Sequence, residues 1–70
     1  MTQIDLTKMK KLRLQKGFTL MGMSEMLGYQ SPSGYHYLEN GIRQIKAIQL
    51  MTIANKLGVD IHDLYIDQAA

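Results

Sequence analysis

Glycine placement restricts this chain more than any other feature. Gly17, Gly28, Gly41 and Gly58 each close a stretch whose apolar residues recur every three or four positions, the period of a helix with one buried face. A glycine there ends a helix, because it accepts the left-handed backbone that closes the last turn. The only proline, Pro32, sits where a helix can begin. Nothing alternates with a period of two over any length, so no sheet is expected. What remains is an all-α chain of five short helices that must bury their faces against one another.

The signals place these helices at about 6–16, 20–27, 32–39, 46–57 and 61–66. Asp5, Thr19, Ser31 and Asp60 stand ready as N-caps. In the first helix Leu6, Met9, Leu12 and Arg13 share a face; in the second, Met23 and Leu27 point inward. In the third, Tyr35, Leu38 and Glu39 fall on one face and Ser33, His36, Tyr37 and Asn40 on the other, at about 100° per residue. For the fourth, the expected buried stripe is Ile48, Met51, Ala54 and Leu57, with Ala47 and Leu50 beside it. Met21 and Met26 fall off the inward face of the second helix and are expected to be partly exposed.

Seventy residues allow one domain, spanning 1–70. Without cysteine, neither a disulfide framework nor a thiolate zinc site can add stability, and a cytoplasmic setting is expected. The start, Met1-Thr2-Gln3-Ile4-Asp5, has an early acid and no apolar run behind it, unlike a signal peptide. No apolar run is long enough for a membrane span. Net charge is only +2, but it is divided. Seven cations against three acids leave residues 1–46 at +4; Lys56 against Asp60, Asp63 and Asp67 leaves residues 47–70 at −2. A basic front and an acidic back suit a protein that turns one face to a polyanion.

The pattern Leu12-Arg13, Gly17-Phe18-Thr19, Met23-Ser24, Leu27-Gly28, Tyr35, Leu38-Glu39-Asn40-Gly41, Ile53-Ala54, Leu57-Gly58-Val59 and Leu64 resembles the Cro and phage-repressor family (Xre-like, lambda-repressor-like) over about residues 6–66. The Leu-Glu-Asn-Gly run is its most distinctive piece. The resemblance implies a compact five-helix bundle in which the second and third helices form a helix-turn-helix that reads double-stranded DNA. It also implies that Arg13 and Glu39 form a structural ion pair tying the first helix to the third, since a charge on an inward face needs a partner. The chain departs from the family pattern at four places. The turn Gly28-Tyr29-Gln30-Ser31-Pro32 is one residue longer than usual, which shifts the angle of the third helix in a groove. Ser24 stands where the family prefers Ala, and Leu20 where a phosphate-touching Gln is common. Gly34, inside the third helix, costs up to about 1 kcal/mol relative to Ala, so that helix is expected to firm up on DNA.

In such domains the second helix of the motif enters the major groove. Base contacts then fall to Ser33, His36 and Tyr37, with Gln30 in the turn. None offers the two-pronged grip of Arg on guanine, so direct readout is expected to be modest. Phosphate contacts fall to Thr19, Tyr29, Asn40, Arg43 and Lys46, with Arg43 the strongest because its charge acts without sequence preference. Lys8, Lys10, Lys11 and Lys16 add to the positive field. No metal, cofactor or small-molecule substrate is expected, and no enzyme: His36 and His62 lie in separate helices with no nucleophile elbow or phosphate loop. One module reads few base pairs, so a homodimer is expected, built from Ile61, Leu64, Tyr65 and Ile66 with Ile4 nearby. The alternative is an antitoxin-type module that docks a protein partner through Met21, Met26 and the C-terminal apolar residues while repressing its own operon.

Overall fold

The computed structural model describes residues 3–66; Asp67, counted above in the acidic half, lies outside them. Four α-helices follow one another: α1 (Leu6–Gln15), α2 (Leu20–Met26), α3 (Pro32–Glu39) and α4 (Ala47–Leu57). Their ends follow local chemistry. The Asp5 carboxylate accepts the Lys8 N–H at 3.0 Å, and the Thr19 hydroxyl accepts the Gly22 N–H at 3.0 Å, each satisfying a donor that the helix leaves free. Gly58 closes α4 at φ +72°, where any other side chain would be strained.

The fifth helix is not formed. Ile61–Leu64 makes a single 3-10 turn, and the chain then extends. Residues Gln3–Ile4 (β1) and Tyr65–Ile66 (β2) pair as a two-stranded antiparallel sheet, Gln3 opposite Ile66 and Ile4 opposite Tyr65. The Asp5 N–H donates to the Leu64 carbonyl at 2.7 Å and continues this tie. Ile4, Tyr65 and Ile66 are types that suit a pleated surface. Strands of two residues are too short to display any alternation, which is why the sequence pattern excluded a sheet.

The core gathers Met9, Met23, Tyr35, Leu38, Ile45, Leu50, Ile53, Ala54, Leu57 and Leu64. Leu50, Ile53, Ala54 and Leu57 supply the buried face of α4, not Ile48 and Met51, which are 68% and 53% exposed; Ala47 is exposed as well. Apolar residues surround α4 on most sides, so periodicity alone allowed more than one inward face, and packing chose the one rotated toward Ile53. Leu64, expected at a dimer interface, is fully buried in its own chain and has no surface left for a partner. Met21 and Met26 are half-buried, and Met26 packs on the core. No helix among the described residues is long and apolar enough to cross a membrane.

Candidate nucleic-acid interface

Helix α3 is held on one side and free on the other. Tyr35 and Leu38 are completely buried, and Glu39 nearly so. Arg13 reaches Glu39 from α1 with both prongs of its guanidinium: Nε donates to Oε2 at 2.8 Å and Nη2 to Oε1 at 3.1 Å. Its remaining arm, Nη1, donates to the Phe18 carbonyl at 2.9 Å. The Glu39 hydrogen bonds raise Arg13 above its ordinary pKa despite partial burial. Burial, followed by the nearby Glu39 charge, pushes the Tyr35 hydroxyl up. That hydroxyl has no hydrogen-bond partner among the described residues.

A second clamp comes from α2. The fully buried Ser24 hydroxyl accepts the Tyr35 N–H at 2.9 Å and donates to the Pro32 carbonyl at 3.1 Å. Serine here is therefore more than a small residue that permits close helix crossing: it joins the two helices of the motif by hydrogen bonds. The family preference for Ala hid this role. Ser31 occupies the N-cap position of α3, yet its hydroxyl pairs with the Ser33 hydroxyl at 2.7 Å and does not cap the helix.

The turn brings a third clamp that sequence reasoning missed. Gly34 is buried, and a Cβ built on it would lie 2.3 Å from Cγ of Tyr29. The Tyr29 side chain thus packs against α3 at Gly34, in space only glycine leaves open. The helix-weakening glycine is what seats the turn.

The outward side of α3 carries Ser33, half-buried, and the exposed His36, Tyr37 and Asn40. Asn40 is tethered: its Nδ2 donates to the His36 carbonyl at 2.8 Å and lies 3.2 Å from the His36 ring Nδ1. Tyr37 is 38% exposed. Arg43, in the loop after α3, inserts between two aromatic rings: its guanidinium carbon sits 5.4 Å from the Tyr29 ring centroid and 5.6 Å from that of Tyr37. Cations are drawn to such ring faces. The structure therefore brings Tyr29, Tyr37 and Arg43 together. It places Gln30 on the exposed turn and Lys46 on the exposed N-cap of α4. Thr19 caps α2 and joins none of these groups. His62 stands apart from the site and pairs with Asp60 at 2.7 Å.

Gln49 was also missed. Its Oε1 accepts the Lys46 N–H at 3.0 Å and its Nε2 donates to the Tyr29 hydroxyl at 3.0 Å. A Gln three residues after a cap is half of a capping-box signature, but Lys46 cannot supply the other half, so the signal was weak. Arg43 first, and then Gln49, lower the Tyr29 hydroxyl from its ordinary pKa. The assembled surface offers an aromatic-flanked guanidinium and a lysine from the segment after α3, beside several short polar side chains of α3 itself.

Residues 9–64 match the model of a helix-turn-helix family. No curated protein and no solved structure gives a significant match.

Proposed function

The chain belongs to the helix-turn-helix family of Xre and lambda-repressor type, whose members are DNA-binding transcription regulators, and on that premise we propose that it is a repressor that reads a pseudo-palindromic operator as a homodimer. The promoters it would silence are those of a phage, a mobile element or its own operon. One observation carries the reading: α3 is fastened along its inner face by Arg13–Glu39, Ser24 and Tyr29, while His36 and Tyr37 are exposed on its outer face. A helix so fastened can enter a major groove without rearranging. His36 and Tyr37, with Ser33 and Gln30, would face base edges. Arg43, Lys46, Asn40 and Tyr29, with Thr19 at the margin, would hold phosphates. Its place of action would be the cytoplasm, in contact with the genome.

A second copy is needed because half-sites in such operators lie about one helical turn apart. Ile48 and Met51 project from α4 into solvent, and Met51 lines a shallow groove with Val59 and Ile61. These residues, with the half-buried Tyr65 and the exposed Ile66 as further apolar surface, support a two-fold contact. Met51→Glu should convert a sedimenting dimer to monomer at micromolar concentration while leaving the helical content unchanged.

Selection of bound duplexes from a random library tests the main reading. Enrichment of a two-fold symmetric sequence, lost in Tyr37→Ala, is the expected result. Absence of enrichment, together with absence of salt-dependent binding to any duplex, would overturn it.

A further inference from the structure

Gln49 does not reach the outer face of α3, yet its amide is fixed at both ends. The Lys46 N–H takes its oxygen, so its nitrogen must donate to the Tyr29 hydroxyl. A phenol has one proton and can accept at its lone pairs. With Gln49 supplying a hydrogen to that oxygen, the phenol proton is left to point elsewhere. Arg43 and Lys46 are the charged groups around Tyr29. The Tyr29 ring cannot retreat, because it already lies against the Gly34 backbone. One O–H donor and two cations therefore lie near one another at this surface.

We infer that Gln49 is a positioning residue for a backbone phosphate that it does not touch, aiming the Tyr29 hydroxyl proton at a phosphodiester oxygen drawn in by Arg43 and Lys46. The inference rests on the DNA-reading role proposed above. It also accounts for the longer turn, which supplies the tyrosine. Ionisation of Tyr29 removes the donor and adds a negative charge facing the phosphate. Because Arg43 and Gln49 lower this hydroxyl, wild-type affinity should fall as pH rises through a value below the usual tyrosine range. Tyr29→Phe should lack that step.

The test is a set of four proteins: wild type, Gln49→Glu, Tyr29→Phe and the double variant. Each is titrated with a random-sequence duplex at several salt concentrations, and folding is checked by thermal unfolding. Glutamate at this position still accepts the Lys46 N–H, so the α4 cap survives. It has no N–H for Tyr29 and turns the phenol proton inward. Its charge repels phosphate in every background, so the Tyr29→Phe background isolates that part. The expected result is that Gln49→Glu weakens binding roughly tenfold more in wild type than in Tyr29→Phe, the size of one hydrogen bond to a charged group. Equal losses in both backgrounds, with all four proteins folded, overturn the inference and leave the DNA reading standing. A wild type with no salt-dependent binding to duplex overturns both.

Discussion

Arg13 and Arg43 stand on opposite sides of α3 and are held by opposite means. Arg13 is buried, and all its contacts are internal: two hydrogen bonds to Glu39 and one to the Phe18 carbonyl. Arg43 is exposed and rests between the faces of Tyr29 and Tyr37. A carboxylate neutralises a guanidinium and occupies its donors; an aromatic face steadies it and leaves the N–H groups in the ring plane free. The first arrangement makes a frame, and the second keeps a cation available to an anion. The same residue type thus serves folding on one side of the helix and, in the function proposed above, binding on the other. Each of the following substitutions probes how cleanly the two jobs are separated.

Removing one partner of the buried pair should have the largest effect. Glu39→Ala leaves the Arg13 charge stranded, which costs about 3–5 kcal/mol. A domain of this size has a total stability of only about 5–15 kcal/mol, so urea unfolding should shift to a far lower midpoint or lose its folded baseline. Replacing both partners with apolar residues, Arg13→Met with Glu39→Leu, should restore most of the loss, since no charge is then left buried. A wild-type midpoint for Glu39→Ala would mean that Arg13 frames nothing, and the contrast with Arg43 would collapse.

Gly34→Ala comes next, and its sign is the informative part. By helix propensity alone it should stabilise α3 by up to about 1 kcal/mol. The Tyr29 ring forbids the new methyl, and overpacking of this kind costs about 1–3 kcal/mol. The expected outcome is a net fall in melting temperature, with weaker duplex binding because the ring beneath Arg43 is displaced. A rise in melting temperature would show that Tyr29 yields easily and that the Arg43 seat is soft. Ser24→Ala should be milder, about 1 kcal/mol in urea unfolding, from the loss of hydrogen bonds to Tyr35 and Pro32.

Local signals carried most of the frame. Asp5, Thr19, Pro32 and Gly58 mark helix ends through contacts within a few residues, so α1 to α4 could be read almost to the residue. The division of α3 into a Tyr35–Leu38–Glu39 side and a His36–Tyr37–Asn40 side followed from its period. What escaped depends on partners distant in the chain. The ring of Tyr29 explains Gly34, its hydroxyl explains Gln49, and the Tyr35 backbone explains Ser24; in each case the residue alone looks unremarkable. The face of α4 was misread because Ile48, Met51, Leu50 and Ile53 are equally apolar, and only tertiary packing distinguishes them. The tail was misread because pairing Tyr65 with Ile4 spans almost the whole chain.

Arg43→Ala should change folding least and therefore separates the two roles most sharply. Among the described residues Arg43 makes no salt bridge, and it is exposed, so stability in urea should fall by no more than about 0.5 kcal/mol, as for ordinary surface changes. Binding should weaken for operator and random duplex alike, because a phosphate contact carries no sequence information. The slope of log affinity against log salt should become shallower by about one, the signature of one counterion no longer released. Tyr37→Ala supplies the contrast on the same ring sandwich. It removes one face of the Arg43 seat and the side chain proposed to face bases, so it should reduce the ratio of operator to random binding more than the salt slope. If Arg43→Ala instead lowered stability as Glu39→Ala does, the exposed arginine would be part of the frame, and the anion-binding surface would have to be sought elsewhere on the domain.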